Sequence, residues 1–150
     1  MNKHHSIQFE KFEEKDVKEV LEFWQSIPGI YLHQNGEDSV EGIIQYLRRN
    51  PGFSHVAKAE NRIIGALMCG HDGRRGLIHH LGVDQNYRKM VIAKKLLDLS
   101  LEKLRSVNIR KCVIFVLKGN KEAKKFYEHL GWVSEQKADI YSLLLNINIK

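Results

Sequence analysis

The stretch Leu81-Gly82-Val83-Asp84-Gln85-Asn86-Tyr87-Arg88-Lys89-Met90-Val91-Ile92-Ala93 ends an apolar, strand-like run, passes through a short basic turn and opens a long helix. Backbone N–H groups at such a helix start lack intrahelical acceptors, and with the helix dipole they bind phosphate. Lys89, Lys94 and Lys95 surround the turn and add charge attraction. A net charge of +6 and a pI near 9.3 suit a polyanion, which a phosphate-bearing cofactor satisfies as well as a nucleic acid does.

The elements that must position this turn are legible in the apolar spacing. Ile7 and Phe9 alternate with polar neighbours as in a short strand, and Val17, Val20, Leu21 and Trp24 follow Asp16 at the spacing of an amphipathic helix. Val40, Ile43, Ile44 and Leu47 repeat that spacing behind a capping residue, Asp38 or Ser39. Phe53–Ala59, Ile63–Cys69 and Leu77–Val83 read as an antiparallel meander, the last two joined by the loop Gly70-His71-Asp72-Gly73-Arg74-Arg75-Gly76. Ile92, Leu96 and Leu99, with Ala93, Leu97, Leu101 and Leu104, form a wide helical face leading to the run Cys112–Leu117, a crossover that implies a parallel strand pair. Asn120 caps a helix carrying Ala123, Phe126, Tyr127 and Leu130; Gly131 ends it, and Trp132-Val133 and Tyr141–Ile149 are expected to close the sheet. The order β-α-α-β-β-β-α-β-α-β-β, with no repeat or linker, predicts one α+β domain over residues 1–150.

Composition narrows the function classes. With 43% apolar and 28% charged residues the chain is that of an ordered globular protein. Neither a signal-peptide stretch at Met1–His5 nor a run able to span a bilayer is present, so a cytoplasmic protein without a membrane partner is expected. Cys69 and Cys112 lie in apolar runs and read as reduced core residues. The histidines are too scattered for a metal-ligand spacing, and no Walker or dinucleotide glycine motif follows a strand, so no metal is expected.

The segment Arg88-Lys89-Met90-Val91-Ile92-Ala93 resembles the Arg/Gln-x-x-Gly-x-Gly/Ala turn of the GNAT superfamily of N-acetyltransferases, with Lys89 and Val91 where the usual form has glycines. Two further segments stand in the right order. Ile78-His79-His80-Leu81-Gly82-Val83 precedes the turn, and Asn120-Lys121-Glu122-Ala123-Lys124-Lys125-Phe126-Tyr127-Glu128-His129-Leu130-Gly131-Trp132 is similar to the family's Asn-x-x-Ala-x-x-Phe-Tyr-x-x-x-Gly-Phe motif. The resemblance covers residues 54–135 by motif.

That resemblance implies a mostly antiparallel mixed sheet with a central splayed parallel pair and about four helices, using acetyl-CoA as cosubstrate. Leu81, Gly82, Val83, Arg88, Lys89, Met90, Val91, Ile92, Ala93, Lys94, Asn120 and Tyr127 are then the expected cofactor-binding residues. An N–H near Leu81 would polarise the thioester carbonyl, and Tyr127 takes the family's general-acid position. An acceptor amine must lose a proton before it attacks, and His79 and His80 are the local bases. Strand alternation lets only one of them face the cleft, with His80 favoured. The 71–75 loop resembles a Gly-x-Asp-Gly-x-Arg-Gly segment of some bacterial members, to be weighed against an ordinary solvated hairpin.

The acceptor is expected to be a small-molecule or peptide amine, and a homodimer is an open state. Two rivals stand beside this reading. One is a non-catalytic CoA-site or partner-binding module in which Lys89 and Val91 have eroded the pyrophosphate loop. The other is a basic nucleic-acid-binding protein, which the absence of a helix-turn-helix, zinc-finger or aromatic RNA-binding signature disfavours.

Overall fold

The computed structural model describes residues 6–88 and 90–145, Met90 by its backbone alone. The chain divides into two compact units at Leu117/Lys118. In the first, β1 (Ile7–Lys11) is followed by α1 (Val17–Gln25), α2 (Val40–Arg49), β2 (His55–Ala59), β3 (Arg62–His71), β4 (Gly76–Val83), α3 (Met90–Ser106) and β5 (Cys112–Ile114). The second contains α4 (Lys121–His129).

The five strands lie in the order β1-β2-β3-β4-β5. Neighbours pair antiparallel from β1 through β4, and β5 lies parallel to β4. A mixed sheet with a parallel pair and four helices is the α+β class expected. Among the described residues β5 is the last strand, so the parallel pair ends the sheet instead of lying at its centre. The closing strands expected at Trp132-Val133 and from Tyr141 onward do not form over residues 132–145, and residues 146–149 lie outside the described part. Apolar alternation becomes a strand only where a partner supplies a hydrogen-bonded ladder. Among the described residues the second unit has no strand to do so, and Tyr141, Leu143, Leu144 and Leu145 are exposed.

Helices cover both sheet faces of the first unit. Val17, Val20, Leu21 and Trp24 of α1 and Ile43 and Leu47 of α2 pack with Val56, Ala66 and Met68. His55, next to Val56 and therefore on the opposite face, meets Ser100 of α3. The apolar face of α3 differs from the expected one in both rows and at Ser100 between them. Ile92, Leu96, Leu97 and Leu104 are buried, but Leu99 and Leu101 are half-buried around a fully buried Ser100. The Ser100 hydroxyl donates to the Phe53 carbonyl at 2.6 Å and is 2.9 Å from His55 Nδ1, so a polar group sits there without being orphaned.

Candidate active site

The site is built on β4. Its pairing with β3 joins Met68 to His79 and Ala66 to Gly82, so Leu67 alone opposes both His80 and Leu81. This is a β-bulge, and His80 carries it with φ +56°, a left-handed conformation in which histidine is among the better tolerated side chains. The bulge overturns the alternation that was expected to send His79 and His80 to opposite faces of the sheet. His79 packs edge-on against Tyr46 of α2 with ring centroids 5.6 Å apart, and His80 against Trp24 of α1 at 5.1 Å. The two imidazoles are 6.0 Å apart on the face covered by α1 and α2.

His80 has a partner that sequence reasoning missed. Its Nε2 lies 2.9 Å from Asp38 Oδ1, and Asp38 is only 2% exposed. The other carboxylate oxygen accepts the His33 N–H at 2.8 Å. Burial pushes the Asp38 carboxyl upward, but the hydrogen bonds from His80 and the His33 backbone outweigh it and hold the group below the usual carboxylate range. Of the two cap candidates, Ser39 is the one that caps α2, its Oγ accepting the Gly42 N–H at 3.0 Å. Asp38 is thereby released to reach across to β4. The intervening loop is drawn tightly over the first turn of α2, where a Cβ on Gly42 would stand 2.5 Å from the Glu37 carbonyl oxygen.

Around these groups the wall is apolar and tightly filled. Trp24 is fully buried, and its Nε1–H is the one buried side-chain polar atom among the described residues without a hydrogen-bond partner. Ile30 and Ile27 occupy the space that a side chain on Gly82 would need, with Ile30 Cδ1 2.8 Å from an ideal Cβ position. Gly82, expected at the cofactor, thus also serves to seat the segment after α1. Burial and the nearby His80 push the His79 imidazole below its ordinary range.

Beyond Ile78, β4 and β5 part company. Gly76, Leu77 and Ile78 pair with Cys112, Val113 and Ile114, after which β5 ends while β4 continues to Val83. β5 is shorter than the expected Cys112–Leu117 run, and Phe115 and Leu117 are exposed. Residues 79–83 therefore have β3 on one side and no strand on the other among the described residues. This is the splay implied by the resemblance, and it frees backbone groups for an extended ligand.

The turn after β4 opens with Asp84, whose side chain accepts the Asn86 N–H at 2.8 Å and closes a 3-10 turn over Gln85–Tyr87. Arg88 is exposed, with Nε 3.4 Å from the Val83 carbonyl oxygen, and Lys89 lies outside the described residues. From Met90 the chain is helical. Ile92 turns inward, Ala93 is half-buried, and Val91 projects outward, 71% exposed. Lys94 makes a 2.7 Å ion pair with Asp98. No acidic residue stands in the first turn of α3, so the positive end of its dipole is not compensated from within. These residues fit a phosphate group.

The second unit presents the other expected residues. Asn120 caps α4, its Oδ1 accepting the Ala123 N–H at 3.1 Å. Tyr127 is 8% exposed and lies edge-on to Phe126 and Trp132 at 5.1 and 5.6 Å. Burial pushes its phenol well above the ordinary value near 10, so it is protonated at neutral pH.

Other sequence-marked groups have local roles. Asp72 Oδ1 accepts the N–H groups of Arg74 and Arg75, each at 2.8 Å, and the 71–75 loop is a hairpin satisfied by its own hydrogen bonds. Burial raises the thiols of Cys69 and Cys112 to about 12 and about 11, which disfavours the nucleophilic thiolate. Among the described residues no group of three His, Cys, Asp or Glu side chains is placed to hold a metal, and no helix is long and apolar enough to cross a membrane.

Comparison with known proteins identifies the family and the fold. The sequence pattern of the acetyltransferase (GNAT) family matches residues 14–132, running through both units. An acetyltransferase of Yersinia pestis (strain Pestoides F) is 28% identical over 124 residues, which cover 83% of this chain and 86% of that protein. Among solved structures, a GNAT-family acetyltransferase from Staphylococcus aureus Mu50 aligns with a TM-score of 0.77 at 21% identity, over 94% of this chain and 95% of its own. The PaiA N-acetyltransferase of Thermoplasma acidophilum, solved in complex with coenzyme A, aligns with a TM-score of 0.74 at 20% identity, covering 89% and 93% of the two chains. At such identities the structural likeness is one of fold.

Proposed function

This chain belongs to the acetyltransferase (GNAT) family and is an acyltransferase, and from that premise we propose that it moves the acetyl group of acetyl-CoA directly onto a primary amine of a small molecule or peptide. The observation that carries the reading is the bulged stretch of β4, paired with β3 but not with β5, in which His80 is held against Asp38 shortly before the start of α3.

Acetyl-CoA would supply an acetyl group activated as a thioester. Leu81, Gly82 and Val83 would align it, and Arg88, Lys89, Lys94 and the backbone of Met90, Val91, Ile92 and Ala93 would hold its phosphates; the family resemblance assigns Asn120 and Tyr127 to cofactor binding as well. His80 accepts a proton from the incoming ammonium, because only the neutral amine has a lone pair to attack with. Tyr127, protonated at neutral pH, gives a proton to the leaving group. Residues 1–150 act as one N-acetyltransferase domain, a reading supported by the family match that runs through both units. Two free cysteines suit the reducing cytoplasm.

The test is calorimetric titration with acetyl-CoA, with CoA and dephospho-CoA as controls, followed by an amine screen. Micromolar acetyl-CoA binding and acetylation of an amine are expected, and absence of binding would sink the reading. Tyr127→Phe should lower kcat while leaving acetyl-CoA affinity within about twofold, and unchanged turnover would remove Tyr127 from the chemistry.

A further inference from the structure

We infer that Asp38 is a positioning residue for proton transfer: it fixes His80 as the Nε2–H tautomer and leaves Nδ1 as the atom that accepts the amine proton. This rests on the acetyl-transfer reading above for the use of that proton, but the pairing itself stands on geometry alone. An ionised carboxylate only accepts hydrogen bonds, so a 2.9 Å contact between Asp38 Oδ1 and His80 Nε2 requires the hydrogen on Nε2. A neutral imidazole carries one N–H, and its other nitrogen is then a lone pair. Among the described residues no hydrogen bond engages His80 Nδ1.

Three further observations show that the pairing is built. Asp38 is 2% exposed, and its second oxygen is taken by the His33 N–H, so the carboxylate is held at both ends. The loop around it is tied by hydrogen bonds from Gly36 N and Asp38 N to the His33 carbonyl, at 2.9 and 3.1 Å, and from Ser39 N to the Gly36 carbonyl at 3.1 Å. On the other side, His80 adopts φ +56° at the bulge, a conformation costly for a residue with a Cβ. The strained backbone turns the imidazole onto the face where Trp24 and Asp38 wait, whereas regular alternation would have sent it to the opposite face. Among the described residues, the titratable groups beside the pair are His79 on β4, Tyr46 on α2, which packs on His79, and His33 and Glu37 on the loop.

The proton balance is simple. The substrate ammonium loses a proton to Nδ1, His80 becomes an imidazolium stabilised by the Asp38 carboxylate, and the proton then passes to solvent, with no change in oxidation state.

The test joins a spectroscopic readout to a kinetic one. In the purified protein at pH 7.5, 15N NMR of the His80 ring should show hydrogen on Nε2 and a bare Nδ1. Asp38→Asn offers an amide donor to Nε2 and should shift the ring toward the Nδ1–H tautomer. With spermidine, lysine and an alanine-terminated peptide as amines, kcat should fall about 10²-fold or more while acetyl-CoA affinity holds within about twofold, and Asp38→Glu should restore part of both signals. A wild-type ring protonated on both nitrogens, or an Asp38→Asn ring still protonated on Nε2, would overturn the assignment of the tautomer to Asp38. A tautomer that shifts while kcat does not would overturn its use in proton transfer. Expected NMR signals with no acetylation of these amines by wild type would count against the acetyl-transfer reading and leave the Asp38–His80 pairing standing.

Discussion

The two halves of β4 differ in what holds them. Gly76–Ile78 is clasped between β3 and β5, and Ile78 is 1% exposed. Among the described residues, 79–83 keep only the β3 side, interrupted by a bulge with a left-handed histidine at its centre. One half is therefore determined by regular pairing and burial. The other is held in place by contacts from outside the sheet, namely Trp24, Tyr46, Asp38 and the Ile27–Ile30 segment. The lesson is that one strand can carry a regular, fully paired half and an irregular half in sequence, provided that the irregular half is buttressed by helices and the loop before α2.

This contrast can be broken by substitutions in each half. The largest effect is expected from His80→Gln, which should reduce kcat by about 10²- to 10⁴-fold with a modest change in melting temperature; turnover within twofold of wild type would show that the irregular half is merely structural. Ile78→Ala, in the paired half, should cost about 2–5 kcal/mol of stability by opening a cavity, with turnover per folded molecule retained, as measured by chemical denaturation alongside kinetics. Gly42→Ala acts at a distance. Its Cβ would collide with the Glu37 carbonyl at 2.5 Å, so the loop must shift, costing about 1–3 kcal/mol and weakening the Asp38–His80 pair, which NMR of the His80 ring would report.

The smallest effect is acid sensitivity. His55 and His79 are both held below the ordinary histidine value of 6.5, chiefly by burial, so the unfolded chain binds their protons first. Their contribution is complete above about 6.5 and is lost as pH falls toward their lower folded values. Asp38, depressed from 3.8, keeps its contribution above that value and loses it only below. Melting temperature should therefore decline in two stages on acidification, and His55→Gln should flatten the first without touching the second.

How much of this was legible in the sequence depended on how local each determinant is. The spacing of Val17, Val20, Leu21 and Trp24 predicted α1 because helical periodicity is written within a few residues. The turn that opens α3 and the Asn120 cap are likewise local. The bulge at His80 was not legible, because register depends on a partner strand and nothing in His79-His80 marks an extra residue. Asp38 was visible only as a rival to Ser39 for one cap, since its actual partner lies 42 positions away. The apolar run near the C-terminus misled for the same reason: Leu143 and Leu144 have strand-like character, yet they are 83% and 87% exposed and carry no ladder.

The hydroxyl of Ser100 has a consequence for the far end of its helix. An all-leucine stripe permits a helix to roll a few degrees on the sheet with little change in buried area, because apolar contact is not directional. A short hydrogen bond to the Phe53 carbonyl and a second contact to His55 do not permit it. Ser100 acts as an indexing pin for the rotation of α3 about its own axis. Since the helix is a rigid cylinder, a pin ten residues along the chain from Met90 also sets the bearing of the N–H groups at its first turn. The direction in which the first turn of α3 presents its N–H groups is thus set from deep inside the fold by a single side-chain oxygen.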